Sequence, residues 1–123
     1  MNKLVMIIDD SLVVRTIVEV SLKREGVASI SYTDGKEAIR ALASRQDLVP
    51  DLLFLDIGLP GMDGYKVAQY FKAKYKHTIV VMLTAHDGVL DRLKGRLAGA
   101  QNYITKPFRT QDIHFVLSEY LGM

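Results

Sequence analysis

Five short apolar runs, separated by polar segments, form the strongest pattern in the chain. Each run has the length of a β-strand. The runs are residues 4–8, 27–32, 52–55, 78–83 and 102–104. Between and after them, apolar residues recur every three or four positions, which is the spacing of one face of a helix. Strand and helix therefore alternate five times, and this predicts a parallel sheet with helices on both faces.

Several residues mark where the predicted helices begin and end. Asp34 has Glu37 three residues on, which is the pattern of a helix N-cap. Asp63 precedes the third helical pattern, and Thr110 is the predicted cap of the fifth. The fourth helical stripe is formed by Leu90, Leu93 and Leu97, and we expect it to end at Gly99.

The composition of the runs also predicts the order of the strands. The first, third and fourth runs are continuously apolar, as expected of central strands that are buried on both faces. The second run alternates apolar and polar residues and the fifth is short, so we place them at the edges. We therefore predict an α/β fold, a flavodoxin-like (βα)5 domain over residues 1–123 with strand order 2-1-3-4-5. In this order, ligands bind at the carboxyl ends of strands 1 and 3.

Composition excludes several classes of function. The chain has no cysteine, so it has neither disulfides nor thiolate metal sites, and we expect a cytoplasmic protein. No apolar run approaches the roughly 20 residues needed to span a bilayer, so we expect no membrane insertion. The net charge of +2 is too small to indicate direct nucleic acid binding.

Three acids follow two strands that the predicted order makes neighbours. Asp9 and Asp10 follow the first strand, and Asp56 follows the third. Acids after strands often serve as caps or turn residues, which would explain any one of them more readily than all three. Three converging carboxylates repel one another unless a cation lies among them. Oxygen ligands suit a hard ion, so we predict a Mg²⁺ site, with Mn²⁺ as an alternative.

Two further residues belong to the same predicted edge of the sheet. Thr84 ends the fourth strand and Lys106 follows the fifth. Singly, each is an ordinary surface or strand-end residue. Together with a metal-bound carboxylate, a hydroxyl and an ammonium form a site suited to a phosphoryl group, in which one of the carboxylates can be the nucleophile.

These motifs, in this order, give the chain a resemblance to a known family. They are "DDS" at 9–11, "LDIGLPGMDG" at 55–64, "TA" at 84–85 and "KPF" at 106–108. Essentially the whole chain resembles the CheY-like receiver domain of two-component response regulators. Residues 91–108 are similar to receivers of the chemotaxis and twitching-motility type. The resemblance implies a phosphorylation switch in a phosphorelay and no turnover of a separate substrate, so the chain would catalyse only its own phosphorylation and dephosphorylation.

The resemblance also implies roles for the acids and their partners. Asp56 would accept the phosphoryl group from a sensor histidine kinase or a phosphotransfer protein. Asp9 and Asp10 would hold Mg²⁺ together with Asp56 and the backbone carbonyl of Gly58. Lys106 would pair with the phosphoryl group.

Switching residues are implied in the same way. Thr84 would hydrogen-bond the phosphoryl group, and Tyr103 matches the aromatic that turns inward on activation. Lys106–Pro107 matches a peptide bond that is cis in the family. At the positions of Gly58 and His86, the family modulates how long the phosphoryl group lasts.

The expected output surface is the face made by the fourth helix, fifth strand and fifth helix, where a downstream protein would dock. It is basic, because four cations outnumber Asp87 and Asp91 there. This charge favours an acidic partner surface, although a solvated helix face has the same pattern. The four cations are Arg92, Lys94, Arg96 and Arg109.

Three alternatives stay open at this point. An aspartyl-phosphate phosphohydrolase would use the same acids, but it needs a second acid two residues after the nucleophile, where this chain has Gly58. The chain could be one domain of a longer regulator with a separate output domain. A receiver that binds its partner without phosphorylation is disfavoured, because all five site residues are present.

Overall fold

The computed structural model describes residues 2–58, 63–85 and 88–123. Strands and helices alternate along the chain as predicted, with one short 3₁₀ turn at Gln46–Leu48. The strands are β1 (Leu4–Ile8), β2 (Ala28–Tyr32), β3 (Leu52–Asp56), β4 (Ile79–Thr84) and β5 (Asn102–Thr105). The helices are α1 (Leu12–Arg24), α2 (Gly35–Ser44), α3 (Gly64–Lys74), α4 (Val89–Ala98) and α5 (Thr110–Leu121).

The five strands form one parallel sheet in the order β2-β1-β3-β4-β5, which confirms the predicted topology. Strand β3 is buried throughout, and β1 and β4 are buried beyond their first residues. Strand β2 is exposed or half-buried along its whole length, as its alternating sequence indicates for an edge strand. Because β1 and β3 are direct neighbours, their carboxyl ends open at one place on the sheet.

Two hydrophobic cores lie on opposite faces of the sheet, because successive strand residues point to opposite sides. Val5 and Ile7 of β1 belong to the core under α1 and α5. Met6 and Ile8 belong to the core under α2, α3 and α4. Helices therefore cover both faces of the sheet, and the carboxyl ends of the strands lie outside these two cores. Within the described ranges, no helix is long and apolar enough to cross a membrane.

The predicted helix starts are confirmed for α2 and α3 and wrong by one residue for α5. Asp34 accepts a hydrogen bond from the Glu37 amide at 2.8 Å. Asp63 likewise caps α3. Thr110, however, is the first residue inside α5, and the cap is Arg109. The Arg109 amide donates to the Asp112 carboxylate at 2.8 Å, so a backbone donor of the cap residue is satisfied from within the helix.

Helix α4 lies where its apolar stripe predicts a helix, but that stripe faces solvent. Leu90 and Leu97 are 72% and 77% exposed, and Leu93 is half exposed. The residues of α4 that are buried are the small Gly95 and Ala98. Small residues allow a helix backbone to lie close to the sheet, so the larger leucines are left on the outer face.

Candidate functional site

The three predicted acids meet at the carboxyl ends of β1 and β3. Asp9 and Asp10 directly follow β1, and Asp56 is the last residue of β3. The register pairs Ile8 with Leu55, so the acids that follow these residues are level with each other. Carboxylate oxygens from all three lie within 4.8 Å of one another. The structure therefore brings together the acids that the sequence places 46 and 47 residues apart.

Asp9 is fully buried and is held from three sides. Its carboxylate accepts hydrogen bonds from the Ser11 amide at 2.9 Å and from the Lys106 ammonium at 2.8 Å. Its backbone carbonyl accepts from the Arg15 guanidinium at 2.7 Å. The role of Arg15 was not predicted from the sequence, because an arginine in the first turn of a helix looks like an ordinary surface residue. Its contact fixes the backbone from which both Asp9 and Asp10 project.

Asp56 lies beside Asp9 and is almost completely buried. One carboxylate oxygen accepts from the Gly58 amide at 3.1 Å and lies 3.5 Å from the Lys106 ammonium. Burial and then the charge of Asp9 raise the pKa of Asp56, while Lys106 and the Gly58 amide lower it. The exposed Asp10 raises it further. Asp56 is thus a carboxylate whose ionisation is opposed by its surroundings.

A divalent cation fits this arrangement of charge. Three carboxylates share one small volume, and even with Lys106 and Arg15 beside them the negative charge is in excess. All the side-chain ligand atoms are oxygens, which suits Mg²⁺ or Mn²⁺ rather than a softer metal. Asp10 is exposed and Asp9 and Asp56 are buried, so solvent reaches the cluster from the side of Asp10.

Replacing Asp56 should stabilise the metal-free protein. The folded state opposes ionisation of Asp56, so at a pH above its raised pKa the folded carboxylate carries a penalty that Asn does not. We expect Asp56→Asn to raise the free energy of unfolding by about 1 kcal/mol at neutral pH. The gain should shrink as the pH falls toward the ordinary pKa of an aspartate. Urea denaturation at several pH values measures it.

The exposed acid Asp47 provides the control for this experiment. It pairs with Arg45 at the surface, where a single ion pair contributes little to stability. Asp47→Asn should therefore leave the unfolding free energy nearly unchanged or lower it slightly. A loss of stability in Asp56→Asn at neutral pH without metal would contradict the picture of a strained acid cluster.

Thr84 and Lys106 close the site from β4 and β5. Asp56 pairs with Leu83 across the sheet, so Thr84 lies one residue beyond Asp56 on the neighbouring strand, and it is buried. The Lys106 amide donates to the Thr84 carbonyl at 2.7 Å, which ties the chain leaving β5 to the end of β4. The Lys106–Pro107 peptide bond is cis, as the resemblance implies.

Tyr103 is half-buried on β5 with its hydroxyl against α4. The hydroxyl donates to the backbone carbonyls of Asp91 at 2.6 Å and Arg92 at 2.9 Å. Burial raises the pKa of this hydroxyl. The ring therefore already points toward α4 in this structure, although the resemblance implies that it turns inward on activation.

Some of the remaining predicted positions lie within the described residues and others do not. The Gly58 amide donates a hydrogen bond to the Asp56 carboxylate, and the Gly58 carbonyl is the predicted metal ligand. His86 and Asp87 lie outside the described residues, as do residues 59–62. Of the basic output surface, Arg92, Lys94 and Arg96 are exposed on α4.

Comparison with known proteins agrees with this geometry. Residues 5–118 match the response regulator receiver domain. The chain is 39% identical over 111 residues to protein PilG of Pseudomonas aeruginosa, covering 89% of this chain and 80% of PilG. Two solved structures of similar size superpose on nearly the whole chain.

One of these structures is the chemotaxis response regulator CheY4 of Vibrio cholerae, with a TM-score of 0.86, 27% identity and coverage of 98% of this chain and 99% of that one. The other is a putative response regulator from Chloroflexus aurantiacus, with a TM-score of 0.87, 27% identity and complete coverage of both chains. The likeness to PilG and CheY4 supports the CheY-like, chemotaxis and twitching-motility type of receiver predicted from the sequence. The matched residues span the acid cluster, Thr84 and Lys106, and the chain therefore belongs to the response regulator receiver domain family.

Proposed function

We propose that this receiver is switched on when Asp56 accepts a phosphoryl group from the phosphohistidine of a sensor histidine kinase or a phosphotransfer protein. One observation carries the proposal: Asp56 lies within a cluster of three carboxylates and 3.5 Å from the Lys106 ammonium. The neighbouring carboxylates oppose the negative charge of Asp56, whereas the Lys106 ammonium favours it. The contacts of Asp56 can therefore change when a phosphoryl group changes its charge. Family membership supports the same role.

The residues of the site can carry out phosphoryl transfer from phosphohistidine to Asp56. A carboxylate oxygen of Asp56 attacks the phosphorus, and the bond from phosphorus to the imidazole nitrogen breaks as the new bond to oxygen forms. Lys106 neutralises phosphoryl oxygens, and the Thr84 hydroxyl donates a hydrogen bond to one of them. A bound Mg²⁺, held by Asp9, Asp10, Asp56 and the Gly58 carbonyl, would supply further neutralisation of the phosphoryl charge.

The return reaction, in which water releases the phosphoryl group, needs no separate substrate. The phosphohydrolase alternative finds no support, because Gly58 stands where a second acid would have to act. We therefore propose that the chain catalyses its own phosphorylation and dephosphorylation only. We also propose that the protein is cytoplasmic, as predicted from the sequence.

Phosphorylation by a small donor tests the proposal. We expect acetyl phosphate with Mg²⁺ to add one phosphoryl group per chain in intact-mass measurements, and EDTA to prevent it. Asp10→Ala should require a higher Mg²⁺ concentration for the same yield, because it removes the exposed ligand while leaving the buried pair of Asp9 and Lys106 in place. Equal labelling of the wild type with and without Mg²⁺ would contradict the metal role.

We further propose α4 as the centre of the output surface. Four of its apolar side chains are exposed, and arginines and a lysine lie between them. Large exposed apolar residues at helical spacing are typical of a protein-binding face. The basic residues favour a partner that is acidic around an apolar groove. The four apolar residues are Val89, Leu90, Leu93 and Leu97.

Substitution on this face should weaken partner binding without affecting the switch. Leu97→Ser removes the most exposed leucine of α4, so its effect on folding should be small. We expect it to weaken capture of an output partner by the phosphorylated protein by roughly tenfold, the loss of one interface anchor. Val20→Ser, an exposed apolar residue on α1, is the matched control. Equal loss in both variants would argue against α4 as the docking face.

A further inference from the structure

A glycine in the middle of α4 is the starting point of this inference. Gly95 is buried within the helix, away from both ends. Glycine is among the residues least favourable to a helix interior, so a packing or functional reason is expected where one is found. A Cβ built at Gly95 would lie 2.6 Å from Cζ of Tyr103, and closer still to its hydroxyl oxygen. The reason is therefore the ring of Tyr103.

The contacts around this ring define a slot on α4. Its floor is the bare backbone of Gly95. Its polar wall is formed by the carbonyls of Asp91 and Arg92, both of which accept from the Tyr103 hydroxyl. The Arg92 guanidinium lies 5.7 Å from the ring centroid, within range of a cation–π contact. We call this the Tyr103 slot. Its hydrogen bonds attach β5 to the N-terminal half of α4.

We infer that Gly95 is a positioning residue for Tyr103: its missing side chain allows the ring to occupy the slot without a phosphoryl group on Asp56. Any larger residue at position 95 fills the slot and drives the ring outward. The inference rests on the proposed function only in treating Tyr103 as part of the switch. It follows that position 95 sets how far Tyr103 still has to move when Asp56 is phosphorylated.

Stability measurements in two backgrounds test the steric part of this inference. Gly95→Ala alone should give no gain in the midpoint of thermal unfolding, because better helix propensity is offset by displacement of the ring. In the Tyr103→Ala background the slot is empty, and the same change should raise the midpoint by about 4 °C, as expected for Gly to Ala in a helix. Lys94→Ala, at the exposed neighbouring position, should have the same small effect in both backgrounds. Equal gains from Gly95→Ala in the two backgrounds would overturn the inference.

The position of the Tyr103 ring can be measured directly, and a purely structural role of Gly95 would leave that position unchanged. With ring-labelled tyrosine, the Tyr103 signal is assigned by its absence in Tyr103→Phe. In Gly95→Ala this signal should shift toward that of an exposed tyrosine, and the pKa of its hydroxyl should fall toward the ordinary value. An unchanged signal and titration would refute the slot. None of these measurements uses a phosphoryl donor. If Asp56 failed to accept a phosphoryl group, the proposed function would be contradicted, but the result for Gly95 and Tyr103 would still hold.

Discussion

Replacing Lys106 with alanine should destabilise the metal-free protein by roughly 3 kcal/mol at neutral pH, the cost of leaving a buried ion without its partner. The Lys106 ammonium donates to Asp9, which is fully buried, and faces Asp56 at 3.5 Å. Without it, the acid cluster keeps its negative charges and loses the nearest positive one. Because Lys106 lowers the pKa of Asp56, its removal raises that pKa further.

The pH dependence identifies the cause of this loss. The penalty exists while the carboxylates are ionised, so it should decrease as the pH falls through the raised pKa of Asp56. Added Mg²⁺ should restore part of the stability, since a cation replaces the lost charge. Lys72→Ala is a control, because the Lys72 ammonium also donates a hydrogen bond, to the Thr78 backbone carbonyl, but lies on α3 and not in the acid cluster. Losses that are equal for both lysines and independent of pH and Mg²⁺ would contradict the electrostatic explanation.

Replacing Asp56 with asparagine should abolish phosphorylation altogether, because an amide oxygen cannot form the acyl phosphate. The fold should persist, since the change is nearly isosteric and relieves repulsion in the cluster. Circular dichroism and the unfolding midpoint confirm that the variant is folded before it is exposed to acetyl phosphate and Mg²⁺. Intact mass then measures whether any phosphoryl group is added.

Asp63 provides the matched control for the loss of labelling. It is exposed and caps α3 through a hydrogen bond from the Tyr65 amide. Asparagine caps helices about as well as aspartate, so Asp63→Asn should fold normally and be phosphorylated like the wild type. Undiminished labelling of folded Asp56→Asn would show that another residue is the acceptor.

The architecture could be predicted from the sequence because each signal was local and repeated. Continuous apolar runs predict the central strands, the alternating run predicts the edge strand β2, and parallel pairing then brings the carboxyl ends of β1 and β3 together. Asp9, Asp10 and Asp56 converge for that reason, and no knowledge of side-chain contacts was needed.

Features that depend on contacts between distant elements could not be predicted in this way. The apolar stripe of α4 has the spacing of a core helix. Which face of the helix packs inward, however, is decided by which residues fit against the sheet. The small Gly95 and Ala98 fit there, so the stripe faces outward. The bond from Arg15 to the Asp9 carbonyl and the place of Tyr103 against Gly95 are likewise tertiary contacts. The error at Thr110 has another cause, since the backbone of Arg109 is capped by Asp112 and no Ser or Thr side chain is required.

Locating the added phosphoryl group in the chain tests the central claim most directly. Wild-type protein is treated with acetyl phosphate and Mg²⁺, the acyl phosphate is reduced with borohydride, and the digested peptides are sequenced by mass spectrometry. Reduction converts a phosphorylated aspartate to homoserine, which marks the acceptor permanently. We predict homoserine at position 56 and unmodified aspartates at positions 9 and 10. Homoserine at either of those positions, or at none, would contradict the assignment of Asp56 as the phosphoryl acceptor.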